Sequence, residues 1–543
     1  MKLNKYIALA LAGAAFASCS YIDEAVPQGG TLLATQVQEA NMAAPSRVDA
    51  SFSGMYSKLG SPYSVFGASQ GRPDDFGFIM MAFSNDLEAA DIVTANSGYN
   101  WFSTCMELSS RNADYANPYV RYAAPYNQIA AANDIIKSLP ADATDATTLA
   151  KLAQARAMRA FAYLNLAPYF QYNYQTHQDA PCVPIVTETT EDFTQNPRAT
   201  VKEVYDLIVA DLDYAITNLE GFERPDKAKI DQNVAYGLRA RAYLDMGKYA
   251  EAAADAEKAA EGYTPASIAE VSVPAFYSLD EHNWIWGYDM TQDMALTGRY
   301  ATASSWIRSF SAWGYSAGVG VYSNCNVLLY NKIPDTDVRK GWWVDENLYS
   351  PLLDNLTWGD LKGQEIATKE IADEKMIFDP YTNVKFGMYT YGSTSNEEDW
   401  PFMRVEEMIL IQAEGYLKSG NETKAKEILE NFVKTYRDPS YSSAAGGRSL
   451  ADEIWFQRRV ELWGEGFANS DTRRLGKPFV RFHEGKKSNL PEAFRFNLPA
   501  DDPWLLMRFC QSEVNANLAI VDNTGGNQPV QDQHGELRDG VTD

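Results

Sequence analysis

The sequence has few of the residues on which metal chemistry and nucleic-acid binding depend. Only 4 of its 543 residues are His, which leaves little for metal ligation or imidazole catalysis. It has 47 Lys and Arg against 72 Asp and Glu, a net charge of −25, so the basic face that phosphate binding requires is missing. HExxH, Walker and EF-hand patterns are also missing. We therefore expect no cofactor and no nucleic-acid partner, although calcium held by loop carboxylates stays possible.

Long apolar runs are missing beyond the N-terminus. Residues 6–16 form an apolar run that follows two lysines, and it is too short for a hydrocarbon core of about 30 Å. Residues 1–18 are therefore predicted to be a secretory signal peptide. Small residues precede Cys19 in an arrangement that resembles a bacterial lipobox, which would make Cys19 the acylated residue and residues 19–45 a lipidated tether. The alternative is an ordinary signal peptide with a stray cysteine.

Cysteine is scarce in the rest of the chain. Four cysteines remain, and their spacing matches neither a zinc site nor a CxxC motif. They are Cys105, Cys182, Cys325 and Cys510. A disulfide is possible in an exported protein, but we expect buried thiols.

The apolar residues that are present recur at helical spacing through much of the chain. This spacing predicts helices over 114–139, 147–169, 201–219 and 449–467. Residues 235–260 resemble a tetratricopeptide unit, because small residues allow two antiparallel helices to pack closely and Gly247 can form the turn. A looser copy follows at 403–433.

These patterns predict a mostly α fold in which tetratricopeptide-like repeats form a single large body. The repeats lie in an N-terminal helical region (46–264) and a C-terminal region (401–543). Between them, residues 265–400 are rich in Pro, Ser, Thr and Asn and contain aromatic clusters. We expect this insertion to consist of loops, short helices and a few strands.

Arginines among the apolar helix positions predict buried ion pairs. An unpaired charge in a helical interior costs several kcal/mol, so these side chains need carboxylate partners. The arginines are Arg156, Arg159, Arg404, Arg458 and Arg459, and the candidate partners are Glu406, Glu414, Glu461, Glu465 and Asp471. We expect them to clamp helices rather than to contact a ligand.

Five segments, in this order, resemble the SusD/RagB family of outer-membrane nutrient-binding lipoproteins. They are residues 154–170 (QARAMRAFAYLNLAPYF), 197–212 (PRATVKEVYDLIVADL), 401–414 (PFMRVEEMILIQAE), 457–476 (QRRVELWGEGFANSDTRRLG) and 496–517. The sequence departs from the family pattern at Gln457, at Ala468-Asn469 and at Pro168. The resemblance implies a lipid-anchored protein on the extracellular side of the outer membrane, with a SusC-like TonB-dependent transporter as its partner. It also implies binding without catalysis, with an oligosaccharide as ligand, or an oligopeptide as in RagB-like members.

Aromatic residues in two loop regions are the candidates for ligand contact. Indole and phenol rings can pack on the flat C–H faces of sugars, and neighbouring polar groups can bind the hydroxyls. By the resemblance, the loop before residue 114 and the 280–320 part of the insertion face one another. The candidates are Arg72, Tyr99, Asn100 and Trp101 on one side, and Trp284, Trp286, Tyr288, Trp306 and Trp313 on the other. The alternative for each ring is core packing, which we expect for Trp455 and Trp463.

Two other functions stay open at this stage. Residues 314–318 fit the GxSxG motif, with Ser316 as the would-be nucleophile, but the residues that follow are not typical of the helix that a nucleophile elbow needs. A pure scaffold that binds only a partner protein is the other alternative.

Overall fold

The computed structural model describes residues 45–62, 72–291, 294 and 302–543. The predicted signal peptide and Cys19 lie outside these residues. In chain order the described helices are α1 (Pro45–Ser57), α2 (Ile79–Glu88), α3 (Ser103–Met106), α4 (Ala116–Ser138), α5 (Ala146–Phe170), α6 (Tyr174–His177), α7 (Val201–Asn218), α8 (Gln232–Met246), α9 (Tyr249–Ala260), α10 (Ile268–Val271), α11 (Ala303–Ile307), α12 (Val327–Tyr330), α13 (Glu365–Thr368), α14 (Val405–Lys418), α15 (Glu422–Tyr436), α16 (Leu450–Glu461), α17 (Ala468–Arg474) and α18 (Gln511–Ala516).

The strands are short, and those that the structure describes pair in antiparallel twos. They are β1 (Ile92–Val93), β2 (Pro181–Pro184), β3 (Arg198–Thr200), β4 (Trp284–Tyr288), β5 (Asn324–Cys325), β6 (Thr357–Trp358), β7 (Leu361–Lys362) and β8 (Trp400–Arg404). The pairs are β1–β5, β2–β3, β4–β8 and β6–β7. Short 3₁₀ helices occupy Val338–Trp342, Pro351–Leu353, Glu492–Phe494 and Pro503–Leu505. The predicted mostly α fold is confirmed.

The helical repeats pack in one continuous array although the insertion divides them in sequence. Helix α5 packs on α4 and α7, and the hairpin of α8 and α9 is followed in space by the hairpin of α14 and α15. Gly247 ends α8 in the left-handed conformation, with φ of +74°, as the predicted turn requires. At Gly415 on α14, a Cβ atom would lie 2.6 Å from the Tyr249 carbonyl oxygen, so α9 and α14 approach closely at a residue without a side chain.

The insertion leaves this array after α9 and returns to it through β8. Its strand β4 pairs with β8, and both strands are buried along their whole length. The division of the chain at residues 264 and 400 stays a prediction. Strand β8 spans the second of these boundaries and pairs with β4 inside the insertion.

Buried ion pairs tie the insertion to the C-terminal helices. Burial alone would raise the pKa of Glu461, but the guanidinium groups of Arg437, Arg404 and Arg339 hold it well below its usual range. Arg437 Nε and Nη2 each lie 2.8 Å from one Glu461 oxygen. Arg404 also makes a bidentate pair with Glu465, at 2.8 Å for both bonds. Removing one partner from such a network leaves an uncompensated buried charge.

Other predicted clamping arginines join segments that are remote in sequence. Arg459 Nη2 lies 2.7 Å from Asp91, and its Nη1 lies 2.7 Å from Asp539. Arg159 makes a bidentate pair with Asp211 at 2.7 Å, and Arg458 pairs with Asp471 at 2.8 Å. The remaining arginine, Arg156, is half-buried and lies 3.3 Å from Asp211. The prediction that these arginines pair with carboxylates is therefore confirmed, although Asp91, Asp211 and Asp539 were not among the expected partners. Glu414 also pairs, but its partner is Arg474.

Asp86 joins α2 to the start of α17 and the turn before it. Its two carboxylate oxygens accept hydrogen bonds from the backbone N–H groups of Gly466 and Ala468, each at 2.9 Å. Burial raises the pKa of Asp86 to about 7 even though these two donors act to lower it. The group therefore changes its protonation state near neutral pH.

Candidate functional site

A surface cleft of about 310 Å³ lies where residues 72–74 meet the N-terminus of α4. This volume is at the lower end of the range of small-ligand sites. Two aromatic side chains on its lining are open to solvent: Trp101 is 41% exposed and Tyr115 is 45% exposed. The other lining residues, mostly polar, are Arg72, Asp74, Met80, Phe102, Thr104, Cys105, Ser110, Asp114, Ala116, Asn117, Val120 and Arg121. Open rings beside hydrogen-bonding groups suit a ligand with both apolar faces and hydroxyls.

The loop that carries Trp101 is shaped by the Asn100 side chain. Asn100 is buried, and its amide nitrogen donates to the Thr94 hydroxyl and to the Ala95 carbonyl, both at 2.8 Å. Its amide oxygen accepts from the Phe102 backbone N–H at 3.1 Å. Because these bonds hold the turn from within, the expectation that Asn100 contacts ligand is corrected. It positions Trp101 instead.

Arg72 supports the Trp101 ring from one side. The guanidinium carbon lies 5.3 Å from the ring centroid, and Nε and Nη2 donate to the two Asp74 oxygens at 2.9 and 2.8 Å. The hydrogen bonds to Asp74 raise the pKa of Arg72, so the group stays charged over the indole face. The arrangement fixes the indole orientation before any ligand binds, which lowers the entropy cost of binding.

Arg121, on the lining of the cleft, belongs to a buried ion pair. Arg121 Nη2 lies 3.2 Å from a Glu88 oxygen and donates to Cys105 Sγ at 3.0 Å. The adjoining loop is held to the C-terminal region, because Trp504 Nε1 donates to the Leu108 carbonyl oxygen at 2.7 Å. Leu108 and Ser110 have φ of +50° and +53°, a conformation that side chains other than glycine adopt at a cost. The cleft wall thus includes a strained backbone segment that is tied to the C-terminal region.

Comparison with known families identifies the architecture around this cleft. A family model described as "Starch-binding associating with outer membrane" matches residues 80–244, and the model of the SusD family matches residues 372–525. The chain belongs to the SusD/RagB family. Members of this family are binding proteins associated with the outer membrane. The cleft lining from Met80 to Arg121 falls inside the first matched range.

Solved structures of SusD-like proteins share the fold along most of their length. A SusD-like carbohydrate binding protein from Bacteroides vulgatus is 25% identical, with a TM-score of 0.69 over 88% of this chain and 97% of that one. A SusD superfamily protein from Bacteroides thetaiotaomicron is 21% identical, with a TM-score of 0.67 and coverages of 88% and 99%. A laminarin binding SusD-like protein is 18% identical, with a TM-score of 0.59 and coverages of 88% and 99%. None of the curated proteins compared with this chain matches it.

Four of the aromatic residues predicted to bind ligand in this SusD-family chain are buried. They are Trp284, Trp286, Tyr288 and Trp306. The first three belong to β4, which is covered on both faces: the Trp286 ring lies 4.8 Å from the rings of both Phe161 and Phe402. These side chains present no ring face to a ligand, so the expectation of ligand contact is corrected for all four.

Trp306 nevertheless joins the two loop regions that the resemblance places together. Its indole N–H donates to the Pro73 carbonyl oxygen at 2.9 Å, and its ring lies 4.9 Å from that of Phe102. On its other side it stacks on Tyr315 with a centroid distance of 4.2 Å. The insertion therefore packs against the Trp101 loop, and Trp306 is the side chain that makes this contact.

Tyr99 and Trp313 are open to solvent but do not line the cleft. Tyr99 is next to Asn100 on the same turn, and Trp313 is 48% exposed with φ of +60°. Of the predicted ligand residues, the structure brings Arg72 and Trp101 together. Sequence reasoning missed Tyr115, Asp114, Ser110 and Thr104. These residues could have been found from the polar segment before α4, in which Tyr115 directly precedes the first helical residue.

Ser316 does not have the surroundings of a nucleophile. It is buried, its hydroxyl donates to the Arg308 carbonyl oxygen at 2.5 Å, and turns rather than a helix follow it in this described stretch. The motif glycines have a packing reason: a Cβ on Gly314 would lie 2.5 Å from Ser311 Oγ, and one on Gly318 would lie 2.8 Å from Trp313 Cα. The GxSxG match is a tight turn.

The part of the chain that the structure describes was predicted to contain buried thiols, and it does. Within it, no group of three or more His, Cys, Asp or Glu side chains is arranged to hold a metal ion. Cys105, Cys182, Cys325 and Cys510 are buried free thiols. No helix in these ranges is long and apolar enough to cross a membrane.

Proposed function

We propose that this chain is a cell-surface lipoprotein that binds nutrient glycans in the Trp101 cleft and delivers them to a SusC-like TonB-dependent transporter. The observation that carries the proposal is the Trp101 indole, which is held by Arg72 on one face and open at the edge of a polar cleft. Anchoring through Cys19 and exposure to the outside of the cell are parts of the proposal that follow from the family resemblance.

The chemistry of the cleft favours an uncharged polar ligand. Arg72 is paired with Asp74, and Arg121 is paired with Glu88, so the cations on the lining already have carboxylate partners. Thr104, Ser110 and Asp114 supply hydroxyl and carboxylate groups beside the two open rings. The printed names of similar structures, a carbohydrate binding protein and a laminarin binding protein, support a glycan.

The affinity should be modest. Stacking on two rings contributes about 0.5–1.5 kcal/mol each beyond the burial of area, and the loss of translational freedom offsets much of this gain. We therefore expect dissociation constants between micromolar and millimolar. Such binding is compatible with a protein that passes its cargo to a transporter.

Isothermal titration of the full mature chain against soluble glycans and peptide mixtures tests the proposal. The panel includes laminarin, starch fragments and a tryptic digest, and each mixture is analysed for products after incubation. Saturable binding of a glycan without turnover supports the proposal. Binding of peptides alone would favour RagB-like uptake, and product formation would favour an enzyme.

Delivery needs a separate measurement. The chain is expressed with a SusC-like transporter, the outer membrane is extracted with mild detergent, and the tagged chain is recovered. We expect the transporter to co-purify in a stable ratio. Recovery of the chain alone in every detergent would contradict the delivery step while leaving glycan binding intact.

A further inference from the structure

A second open cleft, of about 650 Å³, lies in the insertion and shares no lining residue with the Trp101 cleft. It is formed by the end of α12, the 3₁₀ helix Val338–Trp342 and the loop that follows it. The residues that matter to its chemistry are Tyr330, Lys340, Asp345, Tyr349, Tyr381 and Lys487. Its volume falls within the range typical of small-ligand sites and is larger than that of the first cleft.

Tyrosine rings form the floor and the rim of this cleft. Tyr330 and Tyr381 lie 5.0 Å apart between ring centroids and are buried in the floor. Tyr349 stands at the rim and is 48% exposed. An open ring in a cleft whose lining also includes Thr336 and Asn347 offers a stacking face and hydrogen-bonding groups to the same ligand.

The backbone around Tyr349 is held in a strained turn. Leu348, the preceding residue, has φ of +64°, which costs a non-glycine residue about 1–2 kcal/mol. Asp345 compensates, because one of its carboxylate oxygens accepts from the Asn347 and Tyr349 backbone N–H groups at 2.7 and 2.9 Å. The Asp345 N–H also donates to the Tyr349 carbonyl oxygen at 2.8 Å. The backbone that carries the ring is thus held in place without any ligand.

Both lysines on the lining of this cleft are paired with carboxylates. Lys340 Nζ lies 2.5 Å from Asp335, and Lys487 Nζ lies 2.7 Å from Glu346. Because each ammonium group has a carboxylate beside it, the cleft offers little attraction to a phosphate or an acidic ligand. The paired groups still present donors and acceptors, which suits a neutral ligand with many hydroxyls.

We infer that this cleft is a second glycan-binding site, with Tyr349 as its stacking residue. The inference rests on the proposed glycan-binding function and extends it from one site to two. The chain would hold two oligosaccharide segments at the same time, one on Trp101 and one on Tyr349.

Calorimetric titration with laminarihexaose and with maltohexaose, each alone, tests the inference on the mature chain. The variants are Trp101→Ala, Tyr349→Ala, Tyr349→Phe and the double alanine variant, with Phe193→Ala as a control for an exposed ring that lines neither cleft. We expect two sites in the wild type, one in each single alanine variant and none in the double variant. Tyr349→Phe should retain two sites, because it keeps the ring.

The outcomes separate the two proposals. A wild-type stoichiometry of one that Tyr349→Ala leaves unchanged and Trp101→Ala abolishes would overturn the second site alone. Loss of a site in Tyr349→Ala but not in Trp101→Ala would overturn the placement of the first site alone. Failure of both hexaoses to bind the wild type would overturn the second site as stated, and the wider panel then decides the proposed function.

Discussion

Replacing Trp101 with alanine should weaken glycan binding about thirtyfold. A Trp side chain buries about 150–250 Å² when fully covered, and 41% of this one is exposed, which leaves about 60–100 Å² for a ligand. If a saccharide covers half of that area, the apolar contribution is about 1 kcal/mol at 25 cal/mol per Å². Stacking adds about 1 kcal/mol. The total of about 2 kcal/mol corresponds to a factor of roughly 30 in Kd.

The assay is calorimetric titration with a glycan that binds the wild type. Trp101→Phe keeps a ring over Arg72 and should lose less than tenfold, whereas Phe193→Ala removes an exposed ring elsewhere and should bind as the wild type does. Thermal melting of each variant shows that the fold is intact. A Trp101→Ala variant that binds within twofold of the wild type would refute the placement of the site. A larger loss in Trp313→Ala would move the site to the insertion.

Three further predictions concern stability, each measured by urea unfolding. Between pH 4 and 7 folded Asp86 keeps a proton that the unfolded chain has released, since its pKa is about 7 instead of 3.8, so its contribution to stability should fall by about 4 kcal/mol as the pH rises. Asp86→Asn should remove this decrease of stability with pH. Parallel pH profiles of unfolding free energy for the wild type and the variant would contradict the prediction. Glu461→Gln should cost about 3–5 kcal/mol, because three guanidinium groups lose their shared anion; unchanged unfolding would show that the network is dispensable. Gly247→Ala should lower the free energy of unfolding by about 1–2 kcal/mol, because a residue with a Cβ is strained at this positive φ. Gly54→Ala is the control and should not lower it, because a Cβ at Gly54 meets nothing within 4 Å. Equal effects of the two substitutions would contradict the strain at Gly247.

The helical part of the fold could be predicted because local rules decide it. The predicted helix over 147–169 is observed as Ala146–Phe170, and the helix predicted over 201–219 is observed as Val201–Asn218, where Thr200 and Glu203 form a capping box. Gly247 ends its helix as predicted. The helix predicted over 449–467 is shorter in the structure, since α16 ends at Glu461 and turns follow.

The aromatic site was harder to predict because exposure depends on contacts that are remote in sequence. The cluster around Trp284 and Trp286 is typical both of a ligand surface and of a buried strand, and only its pairing with β8 decides between them. Asn100 holds the turn that carries Trp101, and Arg72 covers one face of the indole and leaves the ring partly open. Neither contact follows from periodicity, so the cleft itself could not be derived from the sequence.

Salt bridges and hydrogen bonds between segments that are distant in sequence constrain the order in which the chain can fold. Arg459 holds both Asp91 and Asp539, and Trp504 completes the loop at Leu108. The first hundred described residues thus acquire their final neighbours only when segments several hundred positions later have been synthesised. The cleft therefore cannot reach its final structure before the C-terminal segments are present. We therefore expect truncation near residue 450 to yield an aggregating fragment rather than a smaller binding protein.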